Sequence, residues 1–304
     1  MSVHETIRRF RELQAAVSEN GLHGRVYLPG LALEDFDMHD VPNAYKMTMI
    51  IEKTLSLVWS HANFFDHKLI RTAKQSDVWY KCKHFIARPM FYRVIARARA
   101  RGDRYCIATT FYVDHQITFI GNTSYILKSV LHDGESDVEL ASSESLLVWV
   151  DKKEAKPLLI PKHLKDECVM NSGKSPVSFP LVPPSPTHVY TWTLTPRFSE
   201  LDNNNHVNNS TYQRYFVDCA ASAIEKRFYS QIVLPISKYI VKYFFINYVS
   251  QASTLTPLVC FSWEDEDDPM RIYFRMKSPK DDKLIAESIL ECGPEINKSL
   301  TSRL

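Results

Sequence analysis

At 304 residues the chain is about two average domains long, enough for each half to bury its own core. Its 37 basic and 35 acidic residues leave a formal charge of only +2, so no global field draws it to nucleic acid or to an anionic membrane. A composition of 45% hydrophobic, 12% aromatic and 24% charged residues excludes a disordered chain, and the 8 glycines form neither a G-x-G-x-x-G nor a P-loop, which removes the common nucleotide-phosphate cradles.

Taken in chain order, the first element is an amphipathic stretch, Ile7 to Val17, within an expected N-terminal helical segment over residues 1–22; Glu5 and Glu12 argue against a mitochondrial transit peptide. Residues 23–165 read as a first domain. The run Asp37-Met38-His39-Asp40-Val41-Pro42-Asn43 opens a helical pattern in it. Arg97, Arg99 and Arg101 alternate and are expected on one strand face beside Arg93 and Arg104. That strip is a candidate for the phosphates of coenzyme A or of nucleic acid, and the near-neutral charge favours the plainer reading of a solvated face. Strands are predicted over Tyr105 to Val113, Gln116 to Phe119, Tyr125 to Leu131 and Leu146 to Val150.

Pro176, Pro180, Pro183, Pro184 and Pro186, interspersed with Ser, then mark residues 166–187 as a linker. A second domain, 188–292, and a tail, 293–304, complete the chain. In the second domain Tyr212, Phe216, Cys219, Ala220, Ala223 and Ile224 recur at helical spacing, which predicts an amphipathic helix with a small-residue face. Strands follow at Ile240 to Val249, Leu258 to Trp263, Met270 to Met276 and Lys283 to Leu290, with Glu264 to Asp268 as a solvated hairpin loop. Asp37 and Asp202 are 165 residues apart, and so are Asn43 and Asn208, which suggests two copies of one unit. One helix followed by several antiparallel strands, twice, is an α+β arrangement. No window is long and apolar enough to span a membrane, and six scattered cysteines without a C-x-x-C or a leader predict reduced thiols in an intracellular protein. No His spacing supports a zinc site.

The densest chemistry lies in Asp202-x-Asn204-x-His206-Val207-Asn208-Asn209-x-x-Tyr212. A plain reading makes Asn208 or Asn209 a helix N-cap. Alternation in an extended segment would in addition send Asp202, Asn204 and His206 to one side, toward a helix N-terminus whose free N–H groups and positive dipole end suit a developing oxyanion.

These residues resemble the hotdog-fold thioesterases, most closely the plant and bacterial acyl-carrier-protein (ACP) thioesterases, whose second hotdog carries D-x-N-x-H-V-N-N-x-x-Y. The resemblance implies a tandem double hotdog, a long helix wrapped by antiparallel sheet twice over, that releases fatty acid from acyl-CoA or acyl-ACP in its C-terminal copy. It implies Asp202 as base, or as nucleophile, Asn204 and His206 as groups that bind the carbonyl or orient water, and backbone N–H groups near Asn208 and Asn209 as oxyanion hole, with no metal or cofactor. In Tyr248-Val249-Ser250-Gln251, Gln251 stands where the family has a Glu. A Gln can hold a water but cannot take its proton, so either Asp202 and His206 supply the base or activity is weakened. The first copy has Val41 in place of His206 and Ala44 in place of Asn209; its Asp37 and His39 are a candidate second site, with a structural pair as the favoured reading. A non-catalytic acyl-binding protein is the alternative. The expected partner is the acyl thioester rather than nucleic acid; assembly, including a homodimer, is left open. Ser302-Arg303-Leu304 resembles a peroxisomal address read by an import receptor, with the cytoplasm as the alternative location.

Overall fold

The computed structural model describes residues 15–28, 30, 44–60, 64–73, 76–102, 110–166, 178–202, 206–252 and 256–295. Asp37, His39, Asn204 and Ser302 to Leu304 lie outside them. The chain divides into two compact units: the first takes the described residues up to 30, Lys46–Tyr80 and Ala87–Ser178, and the second takes Ala44, Tyr45, Lys81–Ile86 and the described residues from Phe179 on. The division at Ser178/Phe179 falls inside the Pro-rich stretch.

The first unit is built from β1 (Ala15–Val17), β2 (His23–Leu28), helix α1 (Ala44–Trp59), α2 (Phe65–Thr72), the first part of β3 (Ser76–Ala87), α3 (Pro89–Ala100), β4 (Phe111–Ile120), β5 (Ser124–Asp133) and β6 (Glu139–Asp151). Its strand order is β1-β2-β4-β5-β6-β3. The β4–β5 hairpin pairs antiparallel with His115 opposite Ser129, and Gly121 N–H closes its turn on the Ser124 carbonyl at 2.7 Å. Met47, Ile51, Leu55 and Val58 give α1 a buried stripe at helical spacing. Val58 packs so closely on β2 that a Cβ added at Gly24 would sit 2.4 Å from its Cγ1. A fully buried imidazole, His115, lies beneath α1, with Nε2 3.0 Å from Thr54 Oγ1 and Nδ1 2.9 Å from Ser129 Oγ. Both ring nitrogens are thus satisfied, as a buried polar group requires.

Two expectations are corrected in this unit. Residues 15–17, at the end of the expected helical segment, are strand β1, paired with β2 in the register Ala15 to Val26. Arg97, Arg99 and Arg101 are not on a strand: Arg97 and Arg99 belong to α3 and Arg101 to the turn after it. The apolar residues decide this, because buried Phe91, Val94, Ile95 and Ala98 repeat at the helical period, and Pro89 suits a first helical turn. Arg97 and Arg101 are exposed, and Arg101 reaches Glu135 at 3.5 Å.

The second unit comprises the 81–86 part of β3, β7 (Tyr190–Leu194), α4 (Asn209–Glu225), β8 (Tyr239–Tyr248), β9 (Leu258–Glu264), β10 (Arg271–Ser278) and β11 (Lys283–Glu295), in the order β3-β8-β11-β10-β9-β7. All its neighbouring strands pair antiparallel. The predicted helix buries the residues expected of it: Tyr212, Phe216, Cys219, Ala220, Ala223 and Ile224. Phe216 meets Phe274 of β10 at 5.2 Å between ring centroids, and full burial of such a side chain contributes about 1.5–3 kcal/mol. Cys219, Ala220 and Ala223 are small enough to bring α4 onto β9, where Cys219 Sγ lies 3.7 Å from Ser262 Oγ and Tyr229 donates its hydroxyl to the same oxygen at 2.8 Å. The Pro-rich stretch is pinned to this unit by Arg275, which donates to Ser185 Oγ and the Pro183 carbonyl while held by Glu287. Cys82, Cys219, Cys260 and Cys292 are buried free thiols. Among the described residues no helix is long and apolar enough to cross a membrane.

Candidate active site

The polar motif folds as a reversal. Leu201 and Val207 form an antiparallel bridge, Asp202 N–H donates to the His206 carbonyl at 2.8 Å, and His206 N–H donates to Asp202 Oδ1 at 3.1 Å. Asp202 and His206 are therefore brought together by a turn, not by alternation along an extended segment. The residues between them, Asn203-Asn204-Asn205, are of a type that favours turns, and all three lie outside the described residues.

The turn delivers the chain to α4. Asn208 is the N-cap, its Oδ1 accepting from Ser210 N–H at 3.0 Å and from Ser210 Oγ at 2.8 Å. Its own backbone N–H is taken by the Glu200 carbonyl at 2.9 Å, so Asn208 does not supply an oxyanion donor, and the Thr211 N–H is likewise spent on the Asn208 carbonyl. The Asn209 N–H has no partner among the described residues, as is usual for the first N–H groups of a helix. Tyr248, at the end of β8, donates its hydroxyl to the Asn209 carbonyl at 3.1 Å and fixes this first turn.

The segment after β8 closes the other side. Val207 N–H donates to the Ala252 carbonyl at 3.1 Å, and Ala252 N–H donates to the Tyr212 hydroxyl at 3.2 Å. Gln251 thus stands one residue from two anchors on the motif, with its side chain exposed. Burial, opposed by the Ala252 N–H and reinforced by the charge of Asp202, pushes the Tyr212 hydroxyl up to about 12, so it stays protonated while sensing the Asp202 carboxylate.

Sequence reasoning missed Glu200. Its side chain is only 10% exposed and accepts from Arg197 N–H at 2.6 Å, from the Tyr215 hydroxyl at 2.5 Å and from Arg214. Burial alone pushes this carboxyl up; the Arg197 N–H, the Tyr215 hydroxyl and the Arg214 guanidinium outweigh it and hold it below the usual range. A Glu two residues ahead of Asp202 was the available signal, but its partners lie 14 and 15 residues further on and meet it only through the fold. Arg97 and Arg101 lie in the first unit, on and just after α3.

The start of α4 thus adjoins the Asp202–His206 backbone pairing through Asn208 and the Ala252 backbone through Val207 and Tyr212. Residues 186–251, from before β7 through the turn, α4 and β8 to Gln251, match the acyl-ACP thioesterase C-terminal domain family. No curated protein matches the chain significantly by sequence. In fold it is similar to an acyl-ACP thioesterase from Bacteroides thetaiotaomicron, with 13% identity, a TM-score of 0.67 and coverage of 91% of this chain and 100% of that one. It is similar also to the 12:0-ACP thioesterase from Umbellularia californica, with 16% identity, a TM-score of 0.66 and coverage of 90% and 98%. The fold is that of the hotdog thioesterases. Its second unit carries the acyl-ACP thioesterase C-terminal domain signature.

Proposed function

We propose that the chain is an acyl-thioester hydrolase, that the hydrolysis takes place in the second unit, at the Asp202–His206 turn, and that the two units are two copies of one hotdog of which only the second retains the site. In this reading water attacks the thioester carbonyl, a C–O bond forms and the C–S bond breaks. Asp202 takes the water's proton and returns it to the departing sulfur, so that free thiol and fatty acid leave. The His206 ring binds the carbonyl oxygen or orients the water, with Asn204 assisting, and the Asn209 N–H at the dipole end of α4 receives the developing oxyanion. Gln251 holds the water as a neutral amide, leaving proton transfer to Asp202.

The observation that carries the reading is the pairing of Asp202 with His206 across a turn that opens onto the capped start of α4 and is tied to the Ala252 backbone. Two copies are supported by the 165-residue spacing of Asp37 and Asp202 and by a long helix over antiparallel strands in each unit. The test is release of free thiol from acyl-CoA and acyl-ACP across chain lengths, for the natural chain and for Gln251→Glu. Turnover retained or raised in Gln251→Glu supports a water-holding role at that position. Abolished turnover in a folded variant shows that the neutral amide is required or that residue 251 does not face the water.

A further inference from the structure

We infer that Glu200 is a positioning residue of the hydrolytic turn: its carboxylate, clamped by Arg197, Tyr215 and Arg214, sets where Asp202 and His206 stand against α4. The inference rests on the proposed site above. Residues 200–208 close on themselves through three links: the Asn208 N–H to the Glu200 carbonyl, the Leu201–Val207 bridge and the Asp202 N–H to the His206 carbonyl. Those links fix the shape of the turn but not its tilt on the helix. The Glu200 side chain grips α4 beyond its first turn, through Arg214 and the buried Tyr215.

A carboxylate suits the place because its oxygens only accept, and three donors converge on it from the backbone, a phenol and a guanidinium. The isosteric amide of Gln would aim an NH2 at one of those donors and release part of the clamp. Displacements of about 1 Å at a reacting group cost on the order of a hundredfold in rate, whereas binding of a long acyl chain is spread over many contacts and tolerates them. Loss of the clamp is therefore expected in kcat rather than in KM.

The experiment is steady-state thiol release from a long-chain acyl thioester by the full chain and by Glu200→Gln, Tyr215→Phe and the double variant, each also unfolded in urea. The expected result is a kcat lowered about ten- to a hundredfold in Glu200→Gln, with KM within about twofold and the fraction folded unchanged at assay temperature. Tyr215→Phe should lose less, and the double variant no more than Glu200→Gln alone, because both act through one clamp. A folded Glu200→Gln with kcat within about twofold of the natural chain overturns the inference, as does a loss that merely follows the unfolded fraction. If Glu200→Gln does not fold, Tyr215→Phe decides: lowered kcat at constant KM supports the clamp, and unchanged kcat overturns it. Asp202→Asn run alongside separates the two levels. If it is inactive while Glu200→Gln is not, only the positioning role falls; if it is fully active, the proposed site falls as well.

Discussion

In both units a long helix lies on antiparallel strands, but the two achieve the close approach from opposite sides. In the first, α1 presents Val58 and the sheet yields, with Gly24 on β2 leaving the space a Cβ would fill. In the second, α4 has Ala223 at the position 165 residues on, and the helix yields. The polar residues beneath differ in the same way. Thr54 meets the buried His115 imidazole, whereas Cys219, again 165 residues on, meets the small hydroxyl of Ser262. Close packing needs one small partner, not two, so each unit was free to place it where its own sheet allowed. The small face of α4 therefore serves packing, and the proposed chemistry gathers at its N-terminus, on the turn that delivers Asp202 and His206.

The largest expected effect that separates the units is on rate: His206→Ala should lower thioester hydrolysis by at least about two orders of magnitude, the usual loss on removing a positioned acid-base group, in thiol-release assays on folded protein. Next comes packing. Gly24→Ala drives a methyl into Val58 and should destabilise the protein by about 1–3 kcal/mol, measured by urea unfolding, and Val58→Ala in the same chain should restore part of that loss. Stability unaffected by Gly24→Ala would show that the first helix is not held by close approach. Asn208→Ala should weaken the second unit by about 1 kcal/mol through the lost cap on α4.

The smallest effect concerns Asp114 of the first unit. Burial pushes its carboxyl up, and His23 and the bidentate Arg25 at 2.7 Å outweigh this and hold it well below the usual carboxylate range. A depressed folded value contributes stability above the unfolded value of about 3.9 and loses it as pH falls through the folded one. The penalty of Asp114→Asn, about 1 kcal/mol or less for so exposed a cluster, should therefore not fall between pH 7 and pH 5 and should shrink only in stronger acid. A penalty that already fades between pH 7 and pH 5 would contradict the assignment.

What was legible in the sequence was whatever repeats locally. The strands of the hairpins showed as β-branched and aromatic runs between turns, so the reading Tyr125 to Leu131 falls within β5 and Lys283 to Leu290 within β11. The spacing of Tyr212 to Ile224 gave α4 and its buried face. Two periods competed in residues 89–101, and the alternation of arginines hid the helical repeat of Phe91, Val94, Ile95 and Ala98. In the site, the motif marked Asp202 and His206, but how they meet depended on the backbone pairing of Leu201 with Val207 and of Asp202 with His206. The use of the Asn208 N–H and the clamp on Glu200 depended on partners that only the fold supplies.

The most direct test of the account is the thiol-release kcat of Asp202→Asn beside that of Asp37→Asn, both checked for folding and assayed on the same long-chain acyl thioester. The expected result is a loss of at least about a hundredfold in Asp202→Asn and a rate near that of the natural chain in Asp37→Asn. Equal losses in the two variants, or a folded Asp202→Asn that hydrolyses at full rate, would contradict placing the chemistry in the second unit.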